Sequence, residues 1–203
     1  MIAKIIKSGS NIPKTICAID ASTNSLAFAL FFTDEYNNIK YLGTMGKINF
    51  EGNDIYQKVI DAGKKVKAFF DYYGGFEAIV IEHTVFMNSP KTAADLALVQ
   101  GAILGAAGQS GTKIIGKVSP ITWQNYIGNK KLSKEEILII RSNNPGKSLS
   151  WYKAYERNLR KERTIRFIKI NYEKNISDND VADACAIGHW AINNWNKAIG
   201  VDK

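Results

Sequence analysis

At 203 residues, 45% of them hydrophobic, the chain is long enough to bury one sizeable core, and its 27 Lys and Arg against 19 Asp and Glu leave a formal net charge of +8. No apolar run approaches the length of a membrane-spanning helix, and the apolar part of the opening Met-Ile-Ala-Lys-Ile-Ile-Lys-Ser is too short for a secretory signal, so a cytoplasmic protein is expected. Cys17 and Cys185 both sit in apolar runs without metal-ligand spacing, which predicts two buried free thiols in a reducing compartment.

In chain order, residues 15–21 and 25–33 read as two strands joined by a tight turn, the first carrying Asp20 near its end. A polar turn over 34–38 leads to a third strand over 39–49, completing a meander. Ile55, Val59, Val66, Phe69 and Phe70 recur at helical spacing, with lysines on the other face, and Gly74-Gly75 ends that helix. Phe76–Glu82 is a continuous apolar run closed by a carboxylate, the pattern of an interior parallel strand. After a loop over 84–90 comes a helix over 91–110 rich in Ala and Gly, whose small side chains allow close approach. Residues 113–118 form a fifth strand. Ser119-Pro120 starts a short helix through Trp123 and Tyr126, and Ser133-Lys134-Glu135-Glu136 has the pattern of a capping box. Asn143–Ser148 breaks the chain before a long charged helix over 149–170. Ser177 or Asp178 then caps a last helix over Val181–Trp195. The order implies an α/β fold, a mixed five-stranded sheet flanked by helices.

The charge is unevenly placed. From Asn129 to Lys174 there are 13 Lys and Arg against 5 Asp and Glu, and the rest of the chain holds 14 of each sign. The basic segment also carries Trp151, Tyr152, Tyr155 and Phe167. Concentrated positive charge among aromatics suggests a polyanion, most simply nucleic acid, against the plainer reading of a solvated helix face.

Four acidic residues stand out. Asp20 and Glu82 each end an apolar strand, where an ionised carboxylate is costly without a partner. Asp180 and Asp183 are three apart at the start of the last helix and share a face. If the strands are neighbours and the helix crosses their ends, the four converge, and crowded carboxylates call for cations or raised pKa values. Oxygen ligands without His or Cys clusters point to Mg²⁺ or Mn²⁺, and paired hard cations suit in-line displacement at a phosphodiester. Taken singly, each acid has a plainer reading, as a turn residue or a helix-dipole partner. Asp178 is read as a cap rather than a ligand, His83 and His189 as structural, and Asp95 as a surface residue.

Ala18-Ile19-Asp20-Ala21-Ser22, Ile81-Glu82 followed by Val85-Phe86-Met87, and Asp180-Val181-Ala182-Asp183-Ala184-Cys185-Ala186-Ile187 together resemble the RuvC family of Holliday junction resolvases, within the ribonuclease H-like nuclease fold. Ser22 stands where the family's first motif has glycine. The resemblance spans 15–192 and implies one ribonuclease H-like nuclease domain over 1–203. A basic helical insertion over about 141–177 is similar to that of phage-type relatives. It implies Asp20, Glu82, Asp180 and Asp183 as catalytic and metal-binding residues, with two Mg²⁺ (or Mn²⁺) ions. It also implies Phe86 as an aromatic wedge at a branch point, Lys134 as a DNA contact, and Trp123 in place of a second DNA-contacting lysine. A loop aromatic folded back into the core is the equal alternative for Phe86.

The resulting expectation is a crossover junction endodeoxyribonuclease. It would be a homodimer that makes paired nicks in four-way junctions, with Arg157, Arg160, Lys161, Arg163 and Arg166 adding DNA contacts and the helix over 91–110 a candidate dimer face. The alternatives are another nuclease of the same fold acting on branched DNA, flaps or RNA–DNA hybrids, and a non-catalytic DNA-binding module. An actin-like ATPase is disfavoured because the chain lacks a second such fold and glycine-rich phosphate loops.

Overall fold

The computed structural model describes residues 12–34, 39–83 and 89–201. Among these, strands β1 (Thr15–Ala21), β2 (Ser25–Asp34) and β3 (Ile39–Asn49) form the antiparallel meander. Strands β4 (Ala78–Glu82) and β5 (Ile114–Val118) extend it in the order β3-β2-β1-β4-β5, with β1, β4 and β5 parallel. Between them run α1 (Ile55–Tyr72) and α2 (Pro90–Gln109), and after β5 come α3 (Pro120–Tyr126), α4 (Lys134–Asn143), α5 (Leu149–Tyr172), α6 (Asn179–Asn193) and α7 (Trp195–Ala198). The expected α/β sheet flanked by helices is what the chain adopts, with the basic region folded as a helical hairpin that begins at α4, earlier than residue 141.

Side-chain alternation splits the core into two layers. Cys17, Ile19, Leu26, Phe28, Leu30, Ile79 and Ile81 face α1 and α2. Ile16, Ala18, Ala27, Ala29, Phe31, Ala78 and Val80 face α6, with Trp123 and Ile168 at its flank. Fully burying one such Ile contributes about 1.5–3 kcal/mol. The layer toward α6 is lined by alanines on both sides, so the helix lies close to the sheet. Gly188 marks the tightest point, because a Cβ there would overlap the ring of the buried Phe31. Both cysteines are buried free thiols, as expected.

Two boundaries differ from expectation for visible reasons, and one of the two candidate caps is selected. Phe76 and Glu77 precede β4: Phe76 packs against Phe69, Phe70 and Tyr73, while the Glu77 carboxylate accepts from the Lys14 N–H at 2.8 Å. The last helix stops at Asn193 because Asn193 and Asn194 donate side-chain bonds to the carbonyls of His189 and Trp190, competing with the helix ladder. Asp178, not Ser177, caps α6, accepting from the N–H groups of Asp180 and Val181. The Ser133–Glu136 capping box forms as read.

Candidate metal centre and cationic cleft

Strand register sets the site. Ile19 pairs with Ile81 across parallel β1 and β4, so Asp20 and Glu82 come next to one another one residue further on, both pointing to the α6 layer. Ser22, in the place of a glycine, builds the turn after Asp20, its hydroxyl accepting from the N–H of Ser25 at 3.0 Å. Gln100 of α2 donates to the Glu82 carbonyl at 3.2 Å and fixes the end of β4. The first turn of α6 brings Asp180 and Asp183 to the same rim.

The electrostatics show how closely the four acids feel one another. Burial, then the charges of Glu82, Asp183 and Asp180, push the Asp20 carboxyl well above the usual carboxylate range. Burial and Glu82 push Asp183 up to about 7, opposed by the Thr164 hydroxyl and Lys161. Glu82 is raised by burial, partly offset by the Trp123 indole N–H, which donates to it at 2.6 Å. Trp123 is thus buried against the acid cluster and not held out toward a ligand.

Lys47 was not singled out by the sequence. Ala27 pairs with both Asp20 and Lys47, so Lys47, Ala27, Asp20 and Glu82 lie in one row across four strands. Its ammonium donates to Asp180 at 2.5 Å and to Asp178 at 3.3 Å. It is the cation already among the acids. Among the described residues no three His, Cys, Asp or Glu side chains stand arranged to hold a metal ion. The partners explain why: Asp180 is turned to Lys47, Glu82 to Trp123 and Asp183 to Thr164. The donor set itself, four carboxylates with two of them pushed up by burial and then by their neighbours' charges, has the chemistry of a hard divalent cation site.

The raised acids carry a pH dependence. The usual value for Asp183 is 3.8 and the folded value about 7, so the stability this group contributes is complete below 3.8 and lost as pH rises through 7. The loss amounts to about 4 kcal/mol, and Asp20 acts in the same direction. Without divalent cations, denaturation midpoints are expected to fall between pH 5 and pH 8. Mg²⁺ is expected to raise the midpoint much more at pH 8 than at pH 5, and an equal Mg²⁺ effect at both values would contradict this account.

Beside the cluster is a cleft of about 380 Å³, lined by Gln124, Asn129, Lys153, Glu156, Arg157, Arg160, Lys161, Thr164 and Asp183. Three of the five α5 cations expected to touch DNA, Arg157, Arg160 and Lys161, therefore meet at one place next to Asp183. The other two do not line it: Arg163 is bonded to Glu136 of α4 at 2.6 Å, and Arg166 is exposed outside the cleft. Lys134 is exposed on the first turn of α4, also outside the cleft. Phe86 and its loop lie outside the described residues. The aromatics of the basic segment divide as well. Trp151 and Tyr155 stack on each other near the start of α5, whereas Tyr152 donates to the Asn144 carbonyl and Phe167 packs on His189.

The two histidines, both read as structural, sit differently, and His189 is the one packed into the fold. His83 is exposed beyond β4. His189 bonds Tyr172 through Nδ1 at 2.7 Å, and burial pushes it down to about 4.

No protein-family model matches the sequence, and no curated protein matches it. Solved structures do resemble it in fold. RuvC of Thermus thermophilus in complex with a Holliday junction substrate superposes with a TM-score of 0.63 at 13% identity, over 91% of this chain and 98% of that one. The T. thermophilus RuvC structure gives 0.60 at 14% identity, over 92% and 97%. The yeast mitochondrial Holliday junction resolvase Ydc2 gives 0.52 at 12% identity, over 95% and 82%. The fold of this chain is thus the ribonuclease H-like fold of the Holliday junction resolvases.

Proposed function

We propose that this protein is a divalent-metal-dependent, structure-selective DNA endonuclease that nicks four-way junctions in pairs. The observation that carries the reading is the row of Asp20 and Glu82, met by Asp180 and Asp183, beside a cleft that Asp183 lines together with Arg157, Arg160 and Lys161. The fold is shared with resolvases, one of them solved on a Holliday junction substrate. Asp20, Glu82, Asp180 and Asp183 would hold Mg²⁺ or Mn²⁺, two ions per site. When bound, such ions activate water and stabilise the leaving oxygen of a phosphodiester. The chain's own residues do the rest. Trp123 orients Glu82, Lys47 and the N-cap residue Asp178 hold Asp180, and the α5 cations hold the phosphate backbone against the site.

A junction has two equivalent cut points, which suits a symmetric dimer. On α2, Ala94, Ala97, Gly101, Gly105 and Gly108 form an exposed stripe where a second helix could approach closely, which supports α2 as the dimer face. Phe86 remains the proposed wedge at the branch point. No described helix is long and apolar enough to cross a membrane.

A substrate panel tests the reading. With Mg²⁺, a synthetic four-way junction is expected to be nicked symmetrically, well ahead of flaps, linear duplex and RNA–DNA hybrid. Preference for the hybrid or the flap would select the alternative nuclease reading, and binding without any cleavage would select the DNA-binding module. Neutralising Arg157, Arg160 and Lys161 together is expected to weaken junction binding and flatten its dependence on salt by about two to three units of log–log slope. An unchanged slope would return α5 to an ordinary solvated helix.

A further inference from the structure

Two residues that line the cleft each carry a buried polar atom without a partner, Asn129 Oδ1 and Arg160 Nε. The orientation of Asn129 is fixed, because its Nδ2 donates to the Arg160 carbonyl at 2.8 Å and to Thr164 Oγ1 at 3.0 Å. Its Oδ1 is therefore an acceptor with nothing to accept, in a residue only 4% exposed. The guanidinium of Arg160 is anchored at its other end by Gln124, which leaves the Nε–H as an unused donor. Burying such groups unpaired is unfavourable. An unpaired donor and an unpaired acceptor in the wall of one cleft are matched by a ligand that offers the complementary pair and is seated closely enough to reach them.

The cleft is also the right size and charge for more than solvent. Its 380 Å³ is within the range of small-ligand pockets, about 300–1,000 Å³, and far exceeds one bridging water, whose share of the liquid is about 30 Å³. Lys153, Arg157, Arg160 and Lys161 outnumber Glu156 and Asp183 around it. Cations of this kind recognise a phosphate. The edge of a nucleobase presents a donor beside an acceptor, as Arg160 Nε–H and Asn129 Oδ1 require. The Watson–Crick edge is already paired in a duplex, and a cleft of about 380 Å³ has room for one nucleotide but not for a stacked base pair, so the base that enters it is an unpaired one. Extruding a base is least costly where the strand is already unpaired.

We propose that this cleft is a pocket for one unstacked nucleotide of the strand being cut, its phosphate held by Arg157 and Lys161 and its base edge by Arg160 Nε–H and Asn129 Oδ1. The inference rests on the nuclease reading and deepens it. The line Asn129–Thr164–Asp183 joins the pocket wall to the acid cluster, so a nucleotide seated there is registered at the candidate metal centre.

The test uses the full chain, without junction DNA, metal or cleavage, so its failure is separable from failure of the nicking assay. The Arg160 Nε–H resonance of the ¹⁵N-labelled protein is followed while dAMP, dCMP, dGMP, dTMP or inorganic phosphate is added. At least one deoxynucleotide is expected to give a saturable shift at a concentration tenfold or more below that needed for phosphate. By isothermal titration, Arg160→Lys, which keeps the charge and removes the Nε–H, is expected to weaken that nucleotide at least tenfold, and the exposed rim change Arg157→Gln several-fold. Equal responses to phosphate and nucleotides would reduce the cleft to a phosphate cradle and overturn the proposal. So would an Arg160 Nε–H that none of them moves.

Discussion

Asp20→Asn is expected to lower junction nicking by at least about 10³-fold, or about 4 kcal/mol in the activation barrier, while the folded protein becomes more stable in the absence of metal. The two effects have one origin. Asp20 is buried among Glu82, Asp183 and Asp180, so its charge costs free energy in the folded state unless a cation offsets it. Asparagine keeps the shape and removes the charge. Glu82→Gln is expected to behave alike, because the Gln carbonyl can still accept from the Trp123 indole N–H. Nicking rates under single-turnover conditions with Mg²⁺ and metal-free denaturation curves at pH 8 read the two effects separately. Undiminished cleavage by either variant would remove the proposed metal centre. Lower stability without metal in Asp20→Asn would show that the carboxylate serves the fold rather than the chemistry.

Gly188→Ala is the second large effect, and it acts on the fold. Alanine improves helix propensity by about 1 kcal/mol. Here its methyl group would enter the space of the Phe31 ring, which is buried between β2 and α6. Overpacking of a closed core costs about 1–3 kcal/mol and sometimes more, and a Cβ that overlaps a ring carbon outright puts the cost at the upper end, about 3 kcal/mol, so after the propensity gain a net loss of about 2 kcal/mol is expected. For a chain of this size that lowers Tm by about 4–8 °C. Phe31→Leu introduced together with Gly188→Ala is expected to recover part of the loss, a coupling that independent sites would not show. An unchanged or raised Tm would mean that α6 and the sheet can move apart, and the placement of Asp180 and Asp183 would lose its support.

Much of the architecture was legible because its signals are local. The paired periodicities of β1, β2 and α1, the capping box at Ser133 and the Ser119-Pro120 start of α3 need only their own residues, and each formed where it was read. The four acids were legible for a related reason. A carboxylate closing a fully apolar strand is anomalous in any register, and two acids three apart on a helix share a face whatever lies opposite.

The partners of those acids were not legible, because they depend on contacts between distant segments. The resemblance sets Trp123 in the place of a DNA-contacting lysine, and only the packing of α3 turns its N–H to Glu82. Asn129 and Arg160 are a loop amide and one of many basic residues until their unused atoms meet in one cleft. Lys47 is the sharpest case. Near their turn, β2 and β3 pair as Phe31 with Leu42, and continuing that register would set Lys47 opposite Leu26, on the face toward α1 and α2. The shift between Ala29 and Phe31 inserts one extra residue in β3, and Lys47 comes opposite Ala27 instead. A one-residue shift turns a side chain to the other face of a sheet. The sequence by itself therefore determined the fold class and the four carboxylates, through local periodicity. Only the tertiary structure decided that a lysine stands among them, because a bulge in a hairpin is set by packing across the sheet and not by the residues that bear it.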